Sequence, residues 1–130
     1  MYERILVVDD EPDSANSLAR LVSMFGYEAK AVYGGRDAVE EAARLSPEMV
    51  LIDIDMPDLD GYETAKLIRR QPNGMQAILV AVTGWTRPED KQRAYACGFD
   101  LHVAKPLTLG SLMELLGLLD PAAPAARAVG

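Results

Sequence analysis

Three short, unbroken apolar runs, each followed by polar residues, constrain the fold of this 130-residue chain more than any other feature. The runs are residues 5–8, 49–52 and 78–82, and the polar residues that follow them are Asp9 and Asp10, then Asp53, then Thr83. Strands that are apolar on both faces are typical of the middle of a parallel sheet covered by helices. Residues 28–32 and 101–104 place polar groups at about every second position, which predicts half-exposed edge strands.

Helical periodicity fills the intervals between the predicted strands. The predicted helices run from about Pro12 to Phe25, Arg36 to Leu45, Gly61 to Arg70, Pro88 to Cys97 and Thr108 to Leu119. Gly26 and Gly98 directly follow two of these helices as stop signals. The order βαβαβαβαβα predicts one α/β domain over residues 1–119. Residues 120–130 are rich in Pro and Ala and are interpreted as a tail or the start of a linker.

Topology rules then place the polar residues on one edge of the sheet. Right-handed crossovers, with strands 2 and 5 at the edges, favour a flavodoxin-like three-layer sandwich of strand order 2-1-3-4-5 with helices on both faces. The carboxyl ends of strands 1 and 3, which carry Asp9, Asp10 and Asp53, flank the switch point of that topology. Thr83 and Lys105 follow strands 4 and 5 at the same edge, and Asp55 lies two residues after Asp53, so we expect the six residues to converge.

Such a cluster has a definite chemistry. Carboxylates a few ångströms apart repel one another by about a few kcal/mol per pair, which favours either a raised pKa or a bound cation. Ligands that are all oxygen favour Mg²⁺, which also coordinates phosphate oxygens. Lys105 adds a point charge suited to a phosphoryl oxygen, and Thr83 adds a hydroxyl donor. Asp53 is the expected acceptor, since a carboxylate can form an acyl phosphate.

Four segments of the chain match the motifs of a known family. They are residues 7–12 (VVDDEP), 53–63 (DIDMPDLDGYE), 82–84 (VTG), and 98–100 (GFD) with Lys105-Pro106. In this combination and order the chain resembles the receiver domain of two-component response regulators over about residues 3–119. That resemblance is specific because each segment alone is common, whereas the four together at these strand ends are not.

The resemblance implies a phosphoacceptor and a metal site. Asp53 would take a phosphoryl group from a histidine of a sensor kinase or phosphotransfer protein. Asp10 would bind Mg²⁺ directly, Asp9 would act through a water molecule, and Asp55 would contribute its backbone carbonyl. Lys105 matches the lysine that pairs with Asp53 or with its phosphate. The expected activity is limited to self-phosphotransfer and autodephosphorylation, without turnover of another substrate.

The resemblance also implies a switch. Thr83 matches the hydroxyl that turns onto the phosphate. His102 occupies the position of the aromatic switch residue. Without the resemblance, His102 would be interpreted as an edge-strand side chain in contact with solvent. A cis peptide bond is implied before Pro106. Asp55 carries a charge that the mechanism does not require, and Trp85, otherwise interpreted as a loop packing residue, lies at the mouth of the site. Our hypothesis is that Asp55 and Trp85 together set the lifetime of the acyl phosphate.

The sequence predicts that output is by protein–protein contact. The net charge is −7 and no segment concentrates Lys or Arg, so nucleic acid and anionic membranes are poor candidates for direct partners. The last predicted helix is apolar nearly all round, with Glu114 as its one charge. This favours a self- or partner-docking surface, formed with strand 5 and the helix before it, and would allow a homodimer. A stand-alone regulator and a receiver cut from a hybrid kinase or a larger regulator both stay open, and the expected output partner is a downstream protein effector or a fused domain.

Two other functional classes share part of this residue pattern or this fold. A haloacid-dehalogenase-like phosphohydrolase shares the motif Asp53-Ile54-Asp55, but its Asp-x-Asp strand comes first and its Asp pair last. A flavin- or cobalamin-binding module would need a phosphate-cradling loop after strand 1, where this chain has carboxylates. A cytoplasmic location is expected from a single cysteine, from the absence of any apolar run near the ~20 residues of a membrane span, and from a strand that begins too early to leave room for a signal peptide.

Overall fold

A computed structural model describes residues 3–119, so the predicted tail at 120–130 lies outside the described residues. The strands are β1 (Arg4–Val8), β2 (Glu28–Val32), β3 (Met49–Asp53), β4 (Ile78–Thr83) and β5 (Leu101–Ala104). The helices are α1 (Pro12–Met24), α2 (Gly35–Leu45), α3 (Gly61–Arg69), α4 (Pro88–Ala96) and α5 (Leu109–Gly117). All pairings of the sheet are parallel and its order is 2-1-3-4-5, which confirms the predicted flavodoxin-like topology.

The core explains why the central strands are apolar throughout. Alternate residues of β1 point to opposite faces of the sheet. Ile5 and Val7 pack with α1 and α5, whereas Leu6 and Val8 pack with α2, α3 and α4. The edge strands β2 and β5 are partly exposed, as their alternating pattern predicted. The sheet is therefore the middle layer of three, with two helices on one face and three on the other.

The helix ends correct the predicted boundaries by one or two residues, because several predicted terminal residues are caps. Thr108 lies outside α5 and its side chain accepts a hydrogen bond from Ser111 N, which is N-cap geometry. Asp60 caps α3 in the same way through Glu63 N at 2.9 Å. The helix α2 begins at Gly35 rather than Arg36, and only glycine fits there because a Cβ would overlap the hydroxyl of Thr64.

The ends of α1 and α4 are confirmed as glycine stops. Gly26 and Gly98 have φ angles of 93° and 107°, the left-handed conformation that glycine adopts without steric cost. Gly98 also contributes to a polar link between α3 and β5. Its carbonyl accepts a hydrogen bond from Arg69, whose guanidinium further binds the carbonyls of Gly74 and Ala77 and the carboxylate of Asp100. This link lies at the edge of the sheet opposite the polar strand ends.

Candidate functional site

The carboxyl ends of β1 and β3 bring three carboxylates together. Asp9, Asp10 and Asp53 each offer an oxygen, and these oxygens all lie within 4.8 Å of one another. Asp53 is 4% exposed, Asp9 is half-buried and Asp10 is exposed, so the cluster opens to solvent on one side only. The Asp9 carboxylate also accepts a hydrogen bond from the backbone N–H of Glu11 at 3.0 Å, which orients it at the start of α1. This is an all-oxygen donor set of the kind that suits Mg²⁺.

Lys105 reaches the buried carboxylate from the end of β5. Its Nζ lies 2.8 Å from Asp53 Oδ1. Burial raises the pKa of Asp53, and the hydrogen bond and charge of Lys105 reduce that rise without cancelling it. Burial lowers the pKa of Lys105, but the hydrogen bond to Asp53 and the charges of the surrounding carboxylates outweigh it, so the net pKa is raised. The lysine therefore stays protonated across the neutral range beside a desolvated carboxylate.

Thr83 ends β4 and is fully buried. Its Oγ1 accepts a hydrogen bond from the backbone N–H of Trp85 at 3.0 Å, while its carbonyl accepts from Lys105 N at 2.9 Å. The hydroxyl is thus engaged with the loop that follows β4. The peptide bond between Lys105 and Pro106 is cis. Thr83 ends β4 and Lys105 directly follows its neighbour β5, so both lie at the same edge of the sheet as the carboxylates.

His102 is partly exposed, as expected of an edge-strand side chain, but its ring nitrogens are enclosed. Both of its ring nitrogens are buried, and neither has a hydrogen-bond partner within residues 3–119. Burial lowers the pKa of His102, the positive charge of Lys91 lowers it further, and Asp90 acts in the opposite direction. The imidazole is therefore held in its neutral form more strongly than a free histidine. The reason is that β5, though an edge strand, is covered by α4.

Trp85 is not the packed loop residue that the sequence suggested. It is 54% exposed, and its indole Nε1 donates a hydrogen bond to Asp55 Oδ2 at 3.0 Å. Asp55 in turn donates its backbone N–H to Asp53 Oδ1 at 3.3 Å. The guanidinium of Arg87 lies 5.7 Å from the centroid of the Trp85 ring. Sequence reasoning missed Arg87, because an arginine two residues after a tryptophan is a weak signal.

A groove of about 590 Å³ lies beside the carboxylate cluster. It runs between α1 and the segment that follows β5, with Asp9 and Lys105 at one end. The other lining side chains include Ser14, Ser17, Leu18, Leu21 and Leu107, a mixture of small polar and apolar groups. None of the helices within residues 3–119 is both long and apolar enough to cross a membrane.

Comparison with known proteins agrees with the fold described above. The family model for the response regulator receiver domain matches residues 5–117. The sensor histidine kinase RcsC of Salmonella typhi is 36% identical over 114 residues, which cover 88% of this chain but 12% of the kinase. Chemotaxis protein CheY4 of Vibrio cholerae superposes with a TM-score of 0.85 at 27% identity, covering 89% of this chain and 97% of that one.

A further solved structure bears on the metal. The receiver domain of sensor histidine kinase PA1611 from Pseudomonas aeruginosa PAO1 has a TM-score of 0.82 at 29% identity and covers 91% of this chain and 97% of that one. That structure is described with a magnesium ion coordinated in its active site cleft. The donor set of Asp9, Asp10 and Asp53 fits the same ion, because it offers only carboxylate oxygens at close range.

Proposed function

The chain belongs to the family of response regulator receiver domains, and we propose that Asp53 accepts a phosphoryl group from a phosphohistidine of a sensor kinase or phosphotransfer protein. The observation that carries this proposal is the buried Asp53 carboxylate, held 2.8 Å from Lys105 Nζ inside a cluster with Asp9 and Asp10. A desolvated carboxylate with a fixed cation beside it is prepared for nucleophilic attack, and the cation then stabilises the charge that develops.

The transfer proceeds by displacement at phosphorus. An oxygen of Asp53 forms the new O–P bond while the P–N bond to the histidine breaks, and its electron pair stays on the imidazole nitrogen. Lys105 moves from the carboxylate to an oxygen of the transferred group, and the Thr83 hydroxyl donates to another. Asp10 directly, Asp9 through water, Asp53 and the Asp55 backbone carbonyl would hold Mg²⁺. When bound, that ion neutralises charge on the phosphoryl oxygens.

Phosphorylation would be sensed on the surface formed by α4, β5 and α5. Thr83 ends β4, the neighbour of β5, and His102 lies within β5 under α4, so a change at Thr83 has a short physical route to that surface. The exposed side chains of Leu109 and Met113 on α5, each more than half exposed, favour a docking partner that is a protein. A second copy of the chain and a downstream effector both fit this chemistry.

The chain spans about an eighth of the length of the sensor histidine kinase RcsC, one of the curated relatives that it matches (12% of that protein). We therefore propose the receiver activity alone, in the cytoplasm, for a domain that either acts by itself or belongs to a longer protein such as a hybrid kinase. The groove beside Asp9 and Lys105 is the proposed docking site for the histidine-bearing partner. No turnover of other substrates is proposed.

Asp55 and Trp85 are proposed to set the lifetime of the acyl phosphate. The Asp55 carboxylate brings negative charge near the site, and the Trp85 indole is held beside it by a hydrogen bond. The charge would affect how a hydrolytic water molecule is oriented, and the indole would affect its access. Dephosphorylation rates of Asp55→Asn and Trp85→Ala test this, and unchanged rates in both variants would contradict it.

Intact-mass measurement after incubation with phosphoramidate and Mg²⁺ tests the proposed acceptor. We expect addition of one phosphoryl group to the wild-type protein, none to Asp53→Asn, and none when the metal is chelated. Asp55→Asn is the matched control, since it removes a neighbouring carboxylate of the same loop and should still be phosphorylated. Labelling of Asp53→Asn at the wild-type level would overturn the assignment. Multiple-turnover hydrolysis of small phosphate esters would instead favour the phosphohydrolase alternative.

A further inference from the structure

Trp85 donates hydrogen bonds to the site from both its backbone and its side chain. Its backbone N–H donates to Thr83 Oγ1 at 3.0 Å, and its indole Nε1 donates to Asp55 Oδ2, also at 3.0 Å. The first contact holds the hydroxyl that is proposed to bind the phosphoryl group. The second contact ties the loop after β4 to the loop after β3, thirty residues earlier in the sequence. One residue therefore connects the orientation of the switch hydroxyl to the position of the phosphoacceptor loop.

Arg87 extends this connection into α4. It is the N-cap residue of that helix, and its guanidinium lies 5.7 Å from the Trp85 ring centroid, within the range of a cation–π contact. Its Nε also lies 3.1 Å from Asp90 Oδ2, and that same oxygen accepts from the Arg87 backbone N–H at 3.3 Å. The contacts thus run without interruption from Asp55 through Trp85 and Arg87 to the first turn of α4.

We propose that Trp85 and Arg87 are positioning residues that favour the phosphate-free orientation of Thr83 and the matching position of the α4 N-terminus. The proposal rests on the proposed function, because it concerns the same switch. Thr83 Oγ1 accepts from the Trp85 N–H in the structure, and in this proposal its rotation onto a phosphoryl group gives up that contact, so the two contacts compete. Contacts of Trp85 or Arg87 that stabilise the phosphate-free form therefore lower the population of the form that binds phosphate.

The expected effect follows from the strength of exposed contacts. The side chains of Asp55, Trp85 and Arg87 are all exposed. Each of their contacts is therefore expected to shift the equilibrium between the phosphate-free and phosphate-binding forms only modestly. Removing the indole donor or the cation is expected to tighten apparent binding of a phosphoryl mimic by about two- to five-fold. The double variant should gain affinity by no more than the product of the two single fold-changes, because both substitutions remove contacts of the same loop.

Calorimetric titration with beryllofluoride at saturating Mg²⁺ measures this shift. We expect tighter binding by Trp85→Phe, which keeps an aromatic ring but loses the donor, and by Arg87→Met, which loses the cation. Arg93→Met is the matched control, because Arg93 is an exposed arginine of α4 that lies over Tyr62, at 4.0 Å, and not over Trp85. Asp55→Asn keeps an acceptor oxygen and Asp55→Ala does not, so a difference between them isolates the hydrogen bond from the charge.

A second readout follows the contact directly. Trp85 is the only tryptophan in the sequence, so the wild-type protein gives a single indole N–H resonance. We expect that resonance to shift when beryllofluoride binds, with faster amide exchange in the first turn of α4. Unchanged affinities in Trp85→Phe and Arg87→Met, or an unmoved indole resonance at saturation, would overturn the proposal while leaving the proposed function intact. If the wild-type protein binds no beryllofluoride, both proposals fail.

Discussion

Replacing Arg69 by methionine is expected to lower the free energy of unfolding by about 3–5 kcal/mol. The guanidinium makes four hydrogen bonds of 2.6–2.8 Å, to three backbone carbonyls and one carboxylate, and the side chain is 11% exposed. Hydrogen bonds to a charged group contribute about 1.5–3 kcal/mol each, but water can re-solvate some of the freed carbonyls, so the sum is an upper bound. Methionine retains the apolar stem and leaves these partners unsatisfied.

Urea denaturation followed by circular dichroism measures the loss. For a slope near 1.5 kcal/mol per molar, the expected change lowers the midpoint by about 2–3 M. Arg70→Met is the matched control, because Arg70 is the exposed neighbour and should change stability by less than about 0.5 kcal/mol. Arg69→Lys should fall in between, since an ammonium cannot reproduce the planar fork of donors. A loss in Arg69→Met no larger than that in Arg70→Met would refute the reasoning.

Three further predictions concern caps, charge and backbone space. Asp60→Ala removes the N-cap of α3 and should destabilise the fold by about 1 kcal/mol in urea, whereas Asp60→Asn should be nearly neutral; equal losses would contradict capping. Burial, together with the charge of Lys91, lowers the pKa of His102, so its contribution to stability is present above about pH 6.5 and is lost as pH falls toward the lowered folded pKa. His102→Phe should therefore lose less stability than the wild-type protein on acidification across that window, and parallel unfolding curves would refute this. Gly61→Ala would place a Cβ 2.7 Å from two backbone atoms at the end of β3. It should destabilise the fold by about 2 kcal/mol or more and weaken Mg²⁺ binding, whereas Gly110→Ala, with 3.9 Å to its nearest neighbour, should be tolerated.

The strand pattern alone predicted the architecture. Central strands such as Ile5–Val8 are apolar at every position because both faces are covered, and this pattern has few solutions once crossovers must be right-handed. Helix ends were less predictable. Thr108 and Arg70 belong to the periodic pattern, yet both lie just outside their helices. Thr108 has extended dihedral angles, whereas Arg70 keeps helical angles but is one residue beyond the end of α3, so periodicity alone does not mark either boundary.

The same pattern predicted which residues would lie near one another at the site. Asp9, Asp10 and Asp53 follow adjacent parallel strands, and parallel strands present their carboxyl ends at one edge, so their proximity is a consequence of topology. Their roles as metal ligands and phosphoacceptor stay proposals for the experiments described above. The ion pair between Asp53 and Lys105 has the same topological origin.

What the sequence determined by itself is therefore the order of strands and the meeting of polar residues at their ends, since both follow from local periodicity and from the handedness of the chain. Only the tertiary structure decided which side chains touch. The contacts of Trp85 with Asp55, of Arg87 with the Trp85 ring, and the enclosure of His102 depend on loop conformations and rotamers. Those are chosen by the packing of segments distant in sequence, and no short-range pattern encodes that choice.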